Sequence, residues 1–421
     1  MALRIVATRP YPDLLTLPWH LRLEDWGADL LVALPQGISR HVVRLVRAEQ
    51  DVYAVKETRP RMAFREYRTL RDLRRLSLPV VEPVGVVEGR TSEDGDELEP
   101  ALVTRHLRFS LPYRSVFAHG LRAESLPRVI DALAVLLVRL HLTGFFWGDV
   151  SLSNVLFRRS AGEFAAYLVD AETGELHPQL SEGQRAQDLD LAETNLYGEL
   201  LDLQAGRLLD EGVDPLATVH RVRDRYDALW DELTGTEEFS ADQMWRIEQR
   251  VERLNDLGFD VDELDIVTDW QGATVRLQPK VVEAGHHSRE LQSLTGLDVE
   301  DNQARRLLND LASFATSHGV DAEDRAVVAH RWLTEVYEPV TGLVPEHLRG
   351  RLEPAEVFHE MLEHRWFLSE RADREVDIFD ATQAYVEEVL AQYPEEAIAS
   401  AEPVSAQAAS RSASRSSPSQ A

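Results

Sequence analysis

The sequence has no cysteine, which excludes a disulfide framework and any thiolate metal site. Lysine is almost missing as well: of 45 basic residues, only Lys56 and Lys280 are lysines. A coding bias toward arginine explains the general pattern. A lysine that survives such a bias marks a place that needs a compact ammonium, for which arginine's planar fork is no substitute. No stretch approaches the roughly 20 apolar residues that span a bilayer. Residues 1–19 also lack the apolar core of a signal peptide, because Arg4, Arg9, Pro10 and Asp13 interrupt it. These absences predict a cytoplasmic protein without a transmembrane segment, and leave a peripheral membrane role open.

What is present is acidic charge, unevenly placed. The 421 residues carry a formal net charge of −28. Met1 to Leu180 holds 23 basic and 23 acidic residues, so Ser181 to Ala421 holds 22 against 50 and carries the whole excess. Phosphate would be repelled there, which argues against nucleic-acid binding by the second half. The acidic surface either keeps the protein soluble or forms a docking face for a basic protein partner. The length suffices for two domains.

Strand signals cover Leu30 to Leu34, His41 to Val46 and Asp51 to Glu57, with a turn at Pro35 to Arg40. Arg61 to Leu76 reads as a helix, followed by strands at Val80 to Val87 and Ala101 to Leu107. Pro127 to Leu142 is apolar on nearly every side, the pattern of a deeply buried helix. Two short strands follow, Asn154 to Phe157 and Phe164 to Asp170. From Gln184 the chain is largely helical, interrupted by a hairpin within Ile266 to Val282. Helices are expected over Ala304 to Ser317, Ala322 to Tyr337, Pro354 to Glu370 and Ile378 to Gln392. Glu396 to Ala421 is rich in Ala, Ser, Gln and Pro and is expected to be disordered.

The loop Trp147-Gly148-Asp149-Val150-Ser151-Leu152-Ser153-Asn154 lies between the buried helix and a strand, where rigid neighbours can present side chains. Asp149 and Asn154 stand five positions apart, and Asp170 ends the next strand. Hard oxygen ligands of this kind suit magnesium and phosphoryl transfer, although Asp, Ser and Asn are also common turn residues. Upstream, Tyr53-Ala54-Val55-Lys56 ends a strand. Glu66 shares a helical face with Ala63, Leu70 and Leu73, so it points inward with the apolar residues. A buried carboxylate needs a partner, and Lys56 is the obvious one.

Taken in chain order, Lys56, Glu66, Asp149, Asn154 and Asp170 resemble the signature of the protein-kinase-like superfamily. The closer likeness is to lipopolysaccharide core kinases, RIO-type kinases and aminoglycoside phosphotransferases. Those also show a G-D-x-x-x-x-N loop and a helix like Arg65-Glu66-Tyr67-Arg68-Thr69-Leu70 after the lysine. The whole chain resembles a bacterial family with a kinase-like N-terminal half and a helical domain of unknown function behind it. The resemblance implies an α+β, two-lobed kinase-like fold: a small antiparallel N-lobe over 1–107, a helical C-lobe over 108–232, a mainly helical domain over 233–395, and a tail over 396–421. It implies ATP and magnesium as cofactors. Asp149 would be the base, Lys56 would orient phosphates, and Glu66 would fix Lys56. Asn154 and Asp170 would hold metal. Gly37 and Ser39 would cradle phosphate, and Thr104 and His106, in the hinge over Leu102 to Leu107, would meet adenine.

The sequence also departs from that pattern. Trp147 replaces the usual catalytic-loop histidine, and Gly148 stands where regulated kinases carry arginine. One glycine, Gly37, replaces a glycine-rich run. Glu172 either adds a magnesium contact or is a solvated turn residue. Only 18 positions separate Asp170 from Asp188, too few for a peptide-binding activation segment. The expected acceptor is therefore a hydroxyl of a small molecule, sugar or lipid headgroup. Asp188 or Asp190 is expected to brace the catalytic loop. The alternative reading is a pseudokinase scaffold that binds nucleotide or a partner protein without catalysis. Farther on, His286 and His287 are expected to serve in capping and local hydrogen bonds, with metal binding as the alternative.

Overall fold

The computed structural model describes residues 2–393, apart from 33–40, 49–50, 119–125, 211, 241–242, 244, 269–273 and 321–323, and apart from the side chains at 262–265, 268, 274 and 280–282. The turn carrying Gly37 and Ser39 and the tail over 396–421 lie outside the described residues.

The N-terminal lobe is an antiparallel sheet of β1 (Arg4–Ala7), β2 (Val43–Ala48), β3 (Asp51–Glu57), β4 (Glu82–Glu88) and β5 (Ala101–Arg105), in the order β1-β4-β5-β3-β2. Helix α1 (Pro60–Arg75) begins with Pro60, whose missing N–H costs nothing at that position. It buries Ala63, Glu66, Tyr67, Leu70 and Leu73. The other sheet face, with Val55, Val84, Val87 and Val103, is covered by Leu14, Leu17, Trp19, Leu23 and Trp26 from the N-terminal segment.

The second lobe contains β6 (Ser110–Pro112), α2 (Tyr113–Ala118), α3 (Leu126–Leu142), β7 (Phe145–Phe146), β8 (Val155–Ser160), β9 (Glu163–Leu168), β10 (Glu175–Leu176), α4 (Glu182–Ala205) and α5 (Pro215–Thr234). Helix α3 is buried along most of its length, as its all-round apolar pattern predicts. Strands β8 and β9 pair antiparallel from Val155↔Leu168 to Ser160↔Glu163. Their turn is only Ala161-Gly162, because both strands run on past the expected ends at Phe157 and Phe164 until their backbone groups are paired. Asn154 and Asp170, at opposite ends of this hairpin's sequence, thereby meet at one end in space.

Behind this lobe come β11 (Glu237–Ser240), α6 (Trp245–Asp256), β12 (Phe259–Thr268) and β13 (Thr274–Ala284), with sheet order β11-β13-β12. The hairpin is longer than the sequence predicted, since Phe259, Val261 and Ala284 extend it to pack on the second lobe. Helices α7 (His286–Thr295), α8 (Asp301–His318), α9 (Arg325–Trp332), α10 (Glu338–Gly342), α11 (Pro354–Ala372) and α12 (Ile378–Glu388) complete the chain around a second core. The helix expected to run to Tyr337 changes to a wide π turn over Leu333–Tyr337. Among the described residues, no helix is long and apolar enough to cross a membrane.

The helical domain meets the kinase-like part through polar side chains. Arg158 of β8 pairs with Glu300 at 2.9 Å and with Glu353 at 2.7 Å. The Ala161 N–H donates to Glu356, and Gln303 donates to both Arg159 O and Glu356.

Candidate active site

A cleft of about 810 Å³ lies between the sheet and the second lobe. Lys56, Glu66, Thr104, His106, Asp149, Asn154, Asp170 and Glu172 all line it. Every site residue anticipated from the sequence within the described part therefore reaches one cavity.

Lys56 sits in β3 opposite Leu102 of β5, and its register points it toward α1. Its Nζ donates to Glu66 Oε2 at 3.0 Å and to Asp170 Oδ2 at 2.7 Å. Glu172 Oε2 lies 3.3 Å away. Glu66 is 1 % exposed, as its place among the apolar positions of α1 requires. Burial works against the Lys56 ammonium, yet the carboxylates of Glu66 and Asp170 outweigh it and hold its pKa above the ordinary lysine value. For Glu66, burial dominates and, with the Asp170 charge, pushes the carboxyl up to about 8 despite Lys56.

The catalytic-type loop is held by a helix whose role was only partly visible in the sequence. Asp188 of α4 is fully buried and accepts from the N–H groups of Trp147 and Gly148, both at 2.7 Å. Its Oδ2 also meets His141 Nε2 at 3.2 Å. Burial lowers the His141 pKa despite that contact, which favours the neutral ring. Of the two braces expected, Asp188 is the one that holds the loop; Asp190 pairs with Arg223 instead. Two further residues on the same face, about two and three turns on, hold the loop as well. Asn195 donates to Val150 O, and Glu199 accepts from Leu152 N, Ser153 N and Ser153 Oγ at 2.7–2.9 Å. Burial raises the Glu199 pKa against these bonds. The polar spacing of 188, 195 and 199 on one helical face was the available signal.

Gly148 has φ +75, a left-handed conformation, and a Cβ there would sit 3.1 Å from the Phe146 ring. A glycine is thus what lets the backbone turn its amide toward Asp188. Trp147, in the place of a histidine, is fully buried in the core of the second lobe, and its O accepts from Thr173 Oγ1.

Asn154 Nδ2 donates to Asp149 O at 3.1 Å and to Asp149 Oδ2 at 3.3 Å. With its amide nitrogen so committed, the Asn154 oxygen is the atom left to face a cation. One carboxylate oxygen each of Glu66, Asp170 and Glu172 lie within 4.8 Å of one another. Glu172 is half-buried, and its Oε2 also lies 3.2 Å from His41 Nε2, so its carboxylate is engaged within the cleft. In the hinge, Thr104 is buried and paired within the sheet. The His106 N–H is committed to Val52 O, so any contact to a base there must use other atoms. Burial, with Arg108, lowers the His106 ring to about 4, leaving it neutral.

Comparison with known proteins gives two family matches. Residues 43–204 match the lipopolysaccharide kinase (Kdo/WaaP) family, and residues 228–390 match a domain of unknown function, DUF4032. Among solved structures, a chain described as "WaaP in complex with acyl carrier protein" aligns at 19% identity and a TM-score of 0.34, covering 59% of this chain and 98% of that one. No curated protein matches the chain. The protein thus has a kinase-like N-terminal part similar to the lipopolysaccharide kinases, followed by a DUF4032 domain.

Proposed function

We propose that this protein is an ATP- and magnesium-dependent phosphotransferase acting on a hydroxyl of a small molecule, sugar or lipid headgroup. The observation that carries the reading is Lys56 held between buried Glu66 and Asp170, in the same cleft as Asp149 and Asn154. Lys56 orients the nucleotide phosphates, and Glu66 keeps it in place. Asp149 takes the proton of the acceptor hydroxyl as its oxygen bonds to the γ-phosphorus; the bond to the bridging oxygen breaks and ADP leaves. Asn154 and Asp170 would hold magnesium, which neutralises the phosphate charge when bound. The residues suit that ion: the donors are all oxygens, and carboxylate oxygens of Glu66, Asp170 and Glu172 converge within 4.8 Å of one another.

A second reading, a nucleotide-binding scaffold without catalysis, is favoured by Trp147 at the histidine position. One experiment separates the two. ATP titrations with and without magnesium are followed by thermal shift in the wild type, Lys56→Met and Asp170→Asn, and ATP turnover is measured in Asp149→Ala. Ligand that binds only the folded state raises its melting temperature. A magnesium-dependent rise is expected, lost in the first two variants. Asp149→Ala should keep the rise and lose turnover by about 10²–10⁴-fold. Turnover unchanged in Asp149→Ala defeats the proposal. A shift with no turnover in wild type moves the assignment to the scaffold.

A further inference from the structure

The paired histidines at the start of α7 acquire in three dimensions the third donor that the sequence did not offer. One ring nitrogen each of His286 and His287 and a carboxylate oxygen of Glu290 all lie within 4.8 Å of one another. We propose that these three residues bind a zinc-class divalent cation, at a site separate from the kinase-like cleft.

Three observations beyond the clustering support it. His286 Nδ1 is hydrogen-bonded to the carboxylate of Asp260 on β12, which leaves Nε2 as the free nitrogen. A carboxylate on the far side of a ligating imidazole fixes its tautomer and raises its basicity. His287 is 9 % exposed, and its Nε2 is buried without a hydrogen-bond partner. An orphaned buried nitrogen is uncommon in a native fold, and a cation supplies the missing partner. The ligands also sit on a rigid frame: Gly285 N and His286 N both donate to Gly258 O, and Ser288 N donates to Asp301.

The donor set names the metal class. Two imidazoles and one carboxylate suit zinc and its neighbours, with a fourth position open to water, whereas magnesium selects oxygen donors. Two of the neighbouring cations are already paired, and the charge of the third, Arg305, is opposed at His287 by Asp301. Arg289 pairs with Asp260, and Arg325 pairs with Glu290 at 2.6 Å. The latter engages one Glu290 oxygen and leaves the other to the metal. The helix N-terminus slightly disfavours a cation, but two imidazoles and a carboxylate bond it directly. The metal would tie the end of the β12–β13 hairpin to α7.

The test uses the full chain, stripped with a chelator and dialysed against zinc, with metal per chain read by atomic spectroscopy. To remove a contribution from the cleft, the same measurement is made on Asp170→Asn. One zinc per chain is expected in both, absent in the His286→Ala/His287→Ala variant and much weaker in Glu290→Gln. Asp260→Asn should weaken binding about 10–100-fold. Wild-type protein loaded with Co²⁺ gives a readout that needs no variant to fold: intense visible bands of a low-coordinate site with nitrogen ligands. The proposal is overturned if wild type retains no zinc, if the double-histidine variant retains as much, or if Co²⁺ shows only the weak bands of six oxygen ligands.

Discussion

Glu66, almost wholly buried beside a single cation, makes the fold's response to pH readable at one residue. Its carboxyl titrates near 8 in the folded protein, against 4.5 for the free side chain. Between those values the folded state keeps a proton that the unfolded state has released. Its contribution to stability therefore falls as pH rises, by at most about 1.4 kcal/mol per pH unit. Lys56 is charged in both states throughout that window and adds no slope. Replacing Lys56 by Met removes the opposing charge. The melting temperature of Lys56→Met should drop further below wild type as pH rises past about 8, where Glu66 ionises beside Lys56 in the wild type but is held protonated in the variant, the deficit widening by at most about 1.4 kcal/mol per pH unit. Lys56→Met/Glu66→Gln should be flat across the same range; a deficit that ignores pH in the single variant would contradict the assigned burial. This pair was legible in the sequence because helical periodicity put a carboxylate among Ala63, Leu70 and Leu73, and because lysine is so scarce. Glu199 was not. Its partners are two backbone amides and a hydroxyl 46 or 47 positions away, and backbone amides leave no mark on residue type.

Elements carry the site more than single contacts do. The β8–β9 hairpin sets Asn154 beside Asp170, with Val169 N donating to Asn154 O at 3.0 Å. Its far end is gripped by the helical domain through Arg158, Glu300 and Glu353. Arg158→Met leaves two largely buried carboxylates without their cation and should cost about 3 kcal/mol. Thermal denaturation reads that loss directly. Since the hairpin also spaces the two metal-type ligands, the same variant should show a smaller magnesium-dependent shift with ATP than wild type. Helix α4 offers a parallel case. Glu199→Gln turns one acceptor into a donor facing Ser153 or Leu152, so stability should fall by about 1–3 kcal/mol. ATP turnover should fall through kcat, because the loop bearing Asp149 loosens while Lys56 and the hinge stay in place; an effect confined to KM would speak against a positioning role. The hairpin was legible as two short strands, Asn154 to Phe157 and Phe164 to Asp170. Its grip on the helical domain was not, for the partners Arg158 and Glu300 are 142 positions apart and separately look like surface charges.

At the scale of the molecule, the kinase-like core does not stop at residue 232, where the second lobe was expected to end. Leu254 of α6 and Phe259 of β12 belong to the same buried cluster as α3, α4 and α5, and Val261 and Ala284 pack against it. A chain ended at residue 232 loses these groups and uncovers the surface they occupied. The cut also removes Leu233 at the end of α5, buried in the same cluster. Burial of a leucine or phenylalanine side chain contributes about 1.5–3 kcal/mol, so Leu233, Leu254 and Phe259 together account for about 4.5–9 kcal/mol. That is a large part of the 5–15 kcal/mol by which domains are typically stable. The polar grip adds little to the loss, because Arg158 and the Ala161 amide become exposed to water once their partners are gone. The shortened chain should therefore melt well below the full protein, without a sharp cooperative transition, and should bind a hydrophobic dye that the full chain does not. A chain ended after Ala284 keeps Leu254, Phe259, Val261 and Ala284, and should recover much of the lost stability. Equal melting of the two shortened chains would mean that the hairpin's packing does not support the kinase-like core. The difference between them measures how far the DUF4032 region acts as part of the kinase-like unit and not as a separate passenger.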